Sequence, residues 1–199
     1  MKEQLRRALA AYQPGLVEDE PGAWPAAVLF VLYEHEGRVH TLFQKRTDKV
    51  DAHKGQISLP GGGRDPEDAD LVATALRETH EEIGVDPTHI EILGAIDQIK
   101  TISNFVVTPY IGWLSQYPYT WTFSDDEVAY LLEVPLDHLR DPANFVPDRR
   151  LVNGREIIVP SYQWKDDLIW GATGRMVSNF LDVWAIAQEP GGSVRPERS

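Results

Sequence analysis

This chain of 199 residues contains no cysteine. Disulfides, thiolate metal centres and cysteine nucleophiles are therefore excluded, and the absence fits a reducing cytosol. Basic residues are scarce: 19 Lys and Arg stand against 31 Asp and Glu, a net charge of -12. Phosphate backbones are held by clustered Lys and Arg, so nucleic acid is not expected as a main partner. Long apolar runs are missing as well. The longest, from Trp24 to Tyr33, contains a proline and is too short to cross a bilayer. The N-terminal stretch MKEQLRRALAAYQPG has basic residues but no apolar signal region. The expectation is a cytoplasmic protein with no membrane partner. An acidic chain can still take a phosphorylated small molecule, given a local basic patch, helix N-termini or a divalent cation.

What is present reads as one α/β domain over residues 1–188, followed by a disordered tail rich in Pro, Gly and Ser from 189 to 199. Residues 2–12 form a short amphipathic helix that ends before Pro14. AAVLFVLYE (26–34) and RVHTLFQKR (38–46) are rich in β-branched and aromatic residues and read as a hairpin. Residues 48–65 hold no periodic apolar pattern, end in three glycines and read as loop. EILGAID (91–97) and FVVTPYIGWL (105–114) read as strands, and 126–139 as a short strand with a helical turn. Asn153-Gly154 between apolar runs marks a second hairpin, and 170–188 a closing helix. Strands mixed with a few helices give an α/β sandwich.

The most unusual stretch is LRETHEEIGV (76–85), within a predicted helix over 66–83. Asp65 is a plausible N-cap, Pro66 suits the first helical position, and Gly84 stands where a left-handed C-cap falls. Val72, Ala75, Leu76, Thr79 and Ile83 recur at helical spacing toward a core. Glu78, Glu81 and Glu82 crowd one side, where unpaired like charges cost roughly 0.2–0.5 kcal/mol each. Arg77 can pair with Glu81 at i,i+4, but one cation does not balance three carboxylates. A hard divalent cation would, since Mg²⁺ takes oxygen ligands. The competing reading is a solvated acidic face. The Pro60-Gly61-Gly62 stretch ahead of the helix favours the ligand site, because glycines let backbone groups approach an ion closely. His80 should point away from the acidic stripe, into solvent.

These residues resemble the Nudix signature G-x5-E-x7-R-E-U-x-E-E-x-G-U, where U is apolar. Arg77-Glu78, Glu81-Glu82, Gly84 and Val85 match at the family's spacing. Thr79 replaces the first U. The early Glu position falls on Ala69, flanked by Asp68 and Asp70, and either Gly62 or Gly63 takes the first glycine. Upstream, Leu42, Arg46, Thr47, Gly55, Leu59, Pro60, Gly61 and Gly62 resemble the stretch that precedes this box in the family's coenzyme A pyrophosphatases. Asp51 stands where a second Arg is expected, Leu59 replaces Phe and Gln44 replaces Thr.

The resemblance implies a Nudix-type α/β/α sandwich with a mixed sheet and a loop-helix-loop catalytic box. It implies Mg²⁺ or Mn²⁺ held by Glu78, Glu81 and Glu82, completed by a backbone carbonyl near Gly62. Arg77 would orient a glutamate, and Glu81 or Glu127 would serve as general base. From their charge and place in the glycine loop, His53 and Lys54, with Lys45, Arg46 and Gly61, are expected to meet the substrate, against the alternative of a solvated charge for each of the four cations. The implied reaction cleaves the diphosphate of coenzyme A to 3′,5′-ADP and 4′-phosphopantetheine, with ADP-ribose, NADH or a nucleoside triphosphate as alternatives. Isopentenyl diphosphate isomerase shares the fold, but its chemistry relies on a cysteine. Glu82→Gln is expected to stop turnover and spare the fold, on the premise that Glu82 projects from a polar surface. The oligomeric state is left open, a homodimer included.

Overall fold

Helix α1 (Lys2–Ala11) leads into strand β1 (Trp24–His35), which is buried from Ala26 to Tyr33 apart from the half-buried Val28 and is exposed at its start. A two-residue turn, Glu36-Gly37, returns the chain as β2 (Arg38–Arg46). Both turn residues have positive φ, 51° and 72°, the conformation that follows the twist of a hairpin. The computed structural model describes residues 1–18, 21–47, 55–152 and 155–189. Asp51, His53, Lys54, the Asn153-Gly154 turn and the tail beyond 189 lie outside the described residues.

After this gap come β3 (Ile57–Ser58), β4 (Gly61–Gly63), helix α2 (Leu71–Ile83), β5 (Ile90–Ala95), β6 (Ile99–Lys100), β7 (Phe105–Leu114) and β8 (Val128–Pro135). These complete an eight-stranded mixed sheet of order β3-β2-β1-β7-β5, with β4 on β1, β6 on β7 and β8 on β2. Strand β1 runs parallel to β7, from Trp24 opposite Phe105 to Leu32 opposite Trp113. Helix α3 (Leu136–Arg140) and two small hairpins follow: β9 (Asp148–Val152) with β10 (Arg155–Val159), and β11 (Tyr162–Trp164) with β12 (Asp167–Ile169). Helix α4 (Gly171–Gln188) closes the fold. Among the described residues no helix is long and apolar enough to cross a membrane.

Side-chain alternation divides β1 between two cores. Ala27, Leu29, Val31 and Tyr33 pack under α2 with Ala75 and Ile83. Ala26, Phe30 and Leu32 pack on the other face with Leu5 and Leu9 of α1 and Val177, Phe180 and Trp184 of α4. The result is the expected α/β/α sandwich.

Two expectations need correction. The loop at 48–65 contains strands: β4 is built of glycines, which carry no strand propensity, because its pairing with β1 is made by backbone alone. Helix α2 begins at Leu71, not at Pro66. Asp70 is its N-cap, accepting from the Ala73 amide at 2.8 Å, whereas Asp65 and Asp68 close a tight turn before it. Gly84 ends the helix in the left-handed conformation, as expected. Ala75, Thr79 and Ile83 are buried, but Val72 and Leu76 only half so, while Thr74 and Glu82 join the buried side.

The site geometry depends on β1 and β2 parting company. They pair only from Leu32–His35 against Arg38–Thr41. Beyond that, β1 takes β4 at Ala26–Val28, while β2 takes β8 and, at Gln44 and Lys45, β3. Residues 57–63 wedge into the gap between the splayed strands.

Phe180 anchors the closing helix: it is fully buried, with its ring 4.8 Å from that of Phe30. Phe180→Ala should cost about 3–5 kcal/mol and lower Tm by roughly 6–20 °C. Calorimetry checks this, and a loss under about 1 kcal/mol would place Phe180 outside the cooperative core.

Candidate active site

Three glycines give the site its floor. Gly61 has φ 144°, and a side chain there would drive into the Ala27 carbonyl. A Cβ on Gly62 would lie 2.5 Å from the carboxyl carbon of Glu78. The bare strand therefore lets α2 lay its acidic side directly on backbone. Ladder alternation decides which backbone groups are free. Leu29 N–H donates to the Pro60 carbonyl and Arg64 N–H to the Pro25 carbonyl, so Gly62, between them, exchanges its bonds with Ala27. Gly61 and Gly63 face outward. Accordingly the Gly61 amide donates to Glu82 Oε2 at 2.8 Å, and the Gly63 carbonyl accepts from Arg77 Nη2 at 3.2 Å. The carbonyl turned to the glutamate side is thus that of Gly61, and Gly62 serves by lacking a side chain.

Arg77 is the hub. Its Nε and Nη2 grip both oxygens of Asp68 at 3.0 Å, a bidentate fork. Nη1 donates to Glu78 at 2.9 Å and to Glu81 at 3.0 Å. Asp65 lies 3.6 Å away. The Arg77 guanidinium, with help from the Asp65 amide and the Thr74 hydroxyl, holds the Asp68 carboxyl well below the usual carboxylate range. Asp68, beside the early-Glu position of the signature, is the carboxylate that fixes Arg77 here. It stands one residue before Ala69, while Asp70 on the other side caps the helix. Its role was beyond sequence spacing, because either neighbour of Ala69 could have turned inward.

Glu82 is 5% exposed, contrary to the premise that it projects from a polar surface. One of its oxygens, Oε2, accepts from the Gly61 amide and from Gln44 Nε2, both at 2.8 Å. The other, Oε1, meets Arg46 Nη1 at 3.5 Å and nothing else among the described residues. Burial dominates its acidity and pushes its pKa up to about 7, against the Gly61, Gln44 and Arg46 contacts. Glu78 is raised too, chiefly by burial and in spite of Arg77. Glu81 is exposed and tied to Arg77 alone among the contacts resolved. His80 is exposed, as expected, with a ring nitrogen 3.2 Å from the Val85 carbonyl.

Of the remaining residues singled out in the sequence, Arg46 joins the cluster. Lys45 is engaged elsewhere: its ammonium pairs with Asp167 at 2.7 Å, and Tyr130 shares that carboxylate. Glu127 is exposed on a turn bound to the end of β2, where Thr47 N–H donates to its carbonyl and the Thr47 hydroxyl to that of Asp126. This puts Glu127 next in the chain to Val128 of the strand pair Arg46–Val128, at the same end of β2 as Arg46.

A divalent cation suits this donor set. The candidate donors are hard oxygens, as Mg²⁺ and Mn²⁺ prefer. Five carboxylates, from Asp65, Asp68, Glu78, Glu81 and Glu82, face two guanidiniums, those of Arg77 and Arg46. Gln44 Oε1, Arg46 Nε and Ser58 Oγ are buried here without a hydrogen-bond partner. Among the described residues no three acidic or histidine side chains already stand as a finished ligand cage. The hydrogen bonds to Arg77, Gln44 and Gly61 account for their present orientation.

A NUDIX domain model matches residues 23–152. The mouse peroxisomal coenzyme A diphosphatase NUDT7 is 32% identical over 156 residues, covering 75% of this chain and 66% of that protein, just under two thirds of its length. Nudix hydrolase NudL of Enterobacter sp. strain 638 is 31% identical over 165 residues, covering 83% of this chain and 85% of that protein. Two solved structures share the fold. A MutT/nudix family protein from Enterococcus faecalis superposes with TM-score 0.55 at 16% identity, over 85% of this chain and 65% of that one. The Nudix hydrolase RenU from M. smegmatis gives 0.50 at 23%, over 59% and 76%. Glycine strand, acidic helix and family model converge on the same segment, and the chain belongs to the Nudix family, as a hydrolase of phosphorus-containing anhydrides.

Proposed function

We propose that this Nudix hydrolase is a divalent-metal-dependent diphosphatase that cleaves coenzyme A to 3′,5′-ADP and 4′-phosphopantetheine. The observation that carries the reading is the pair Glu78 and Glu82 laid on the bare backbone of Gly61 and Gly62. The coenzyme A assignment is supported by the resemblance across residues 42–62 and by the mouse relative named for that activity.

Glu78 and Glu82, with the Gly61 carbonyl and Glu81 from the rim, are the groups proposed to hold Mg²⁺ or Mn²⁺. A bound ion of this kind neutralises non-bridging phosphate oxygens and lowers the pKa of a bound water. Arg77 keeps Glu78 in place through their hydrogen bond while Asp68 fixes the guanidinium. Glu81 or Glu127 takes the proton of the attacking water as its oxygen bonds to one phosphorus and the bridging P–O bond breaks. Arg46, whose Nη1 lies 3.5 Å from Glu82, is proposed to face the diphosphate. Lys45 acts on substrate only by giving up Asp167. His53 and Lys54 are proposed as phosphate contacts from sequence alone.

Mass spectrometry after incubation with coenzyme A and Mg²⁺ should show both products, and neither without the metal. Preference for ADP-ribose or NADH over coenzyme A would overturn the substrate assignment.

Glu82→Gln should cut kcat by orders of magnitude without lowering Tm. The burial of Glu82 sharpens this expectation. A carboxyl whose folded-state pKa is about 7 binds more protons folded than unfolded. Its contribution to stability therefore falls as pH rises from about 4.3, the unfolded value, through about 7, and is level above. Metal-free wild-type protein should lose Tm across that window relative to Glu82→Gln, in paired thermal scans. Parallel Tm–pH curves for the two would show that Glu82 is not held as described.

A further inference from the structure

Gln44 is an odd residue for its place. It lies on β2 between Leu42, a core residue, and Arg46, and it is 1% exposed. A buried amide costs free energy unless both its ends are bonded. Among the described residues only one end is: Nε2 donates to Glu82 Oε2, while Oε1 finds no partner. Ser58, its partner in the β2–β3 register, leaves its hydroxyl unbonded as well, and Arg46, two residues on, leaves Nε unbonded. Packing alone would be better served by an aliphatic side chain of the same size.

The contacts of Glu82 give the amide a purpose. Both strong donors, the Gly61 amide and Gln44 Nε2, bind the same oxygen, Oε2. They arrive from opposite sides of the gap between the splayed strands, Gly61 from β4 and Gln44 from β2. Together they fix the rotation of the carboxylate and, among the described residues, leave Oε1 without a short hydrogen bond, with Arg46 Nη1 at 3.5 Å. A glycine amide alone would leave the carboxylate free to turn about that single bond.

We propose that Gln44 is a positioning residue: with the Gly61 amide it pins Glu82 through Oε2 and so presents Oε1 alone to a divalent cation. The inference rests on the metal-dependent reading above. It predicts that the amide sets metal affinity while contributing little to fold stability, because the donor it supplies is offset by the unbonded Oε1 on the same group.

The test uses full-length, metal-free protein and Mn²⁺ as the only ligand, with free Mn²⁺ followed by electron paramagnetic resonance. Gln44→Met keeps the volume and removes both polar ends, and Gln44→Ala is the second variant should the first fail to fold. Loss of an outer-shell partner of this kind weakens metal binding by about 10–100-fold. The expected result is therefore a Kd for Mn²⁺ at least about tenfold weaker than wild type, a Tm in metal-free buffer unchanged for Gln44→Met, and an unaltered KM for coenzyme A at saturating Mn²⁺. Wild type and variants binding Mn²⁺ equally would overturn this inference and leave the metal-dependent reading standing. A weaker Kd accompanied by a large fall in metal-free Tm of Gln44→Met would also overturn it, since that marks a packing role. Failure of the wild type itself to bind Mn²⁺ would overturn both.

Discussion

A carboxylate can be laid against a β-strand only where that strand has no side chains. Gly61 and Gly62 meet this constraint, and most of the site follows from it. With the floor bare, α2 comes close enough for Glu82 to accept the Gly61 amide and for Glu78 to cover Gly62. The same closeness removes water from both carboxylates, which is why both hold protons more tightly than an exposed glutamate. Glycine at these positions is thus a requirement of approach. Flexibility has no part in the argument, since β4 is paired along its length with β1.

The electrostatics are organised around one guanidinium. Arg77 spends its donors on Asp68, Glu78, Glu81 and the Gly63 carbonyl. Asp68 is the partner that fixes it, because the fork engages both carboxylate oxygens in a buried setting. Glu78 and Glu81 each receive a single bond from the remaining nitrogen. The arrangement leaves an excess of negative charge beside a strand whose outward carbonyl, at Gly61, adds a further oxygen. Such a surface repels an anionic substrate, and a doubly charged ion of the kind proposed would offset that charge.

Much of this was legible in the sequence, and the failures have physical causes. The β1–β2 hairpin, β7, the C-cap at Gly84 and the acidic helix follow from alternation, turn chemistry and i,i+4 spacing. The glycine strand reads as loop in the sequence because strand propensity reports side-chain packing, of which glycine has none. The start of α2 was misplaced because two Asp residues, Asp65 and Asp70, both offer capping oxygens, and Pro66 fits a turn as well as a first helical position. Three glutamates in a short window read as surface groups, which hides the burial of Glu82. Only the splay of β1 and β2, a tertiary feature, shows that Glu82 alone of the three enters the gap. Gln44 stood out as a departure at a threonine position, but its bond to Glu82 joins residues 38 apart and has no local signature. Lys45 looked available for phosphate because its partner, Asp167, lies 122 residues away.

Diffraction at the manganese edge from a crystal soaked in Mn²⁺ bears most directly on the central claim, that these oxygens are gathered for a divalent ion. The account predicts an anomalous peak bounded by Glu78, Glu82 and the Gly61 carbonyl. A fully soaked crystal with no peak there, and with Glu78 still on Arg77 and Glu82 still on Gln44 and Gly61, would contradict it.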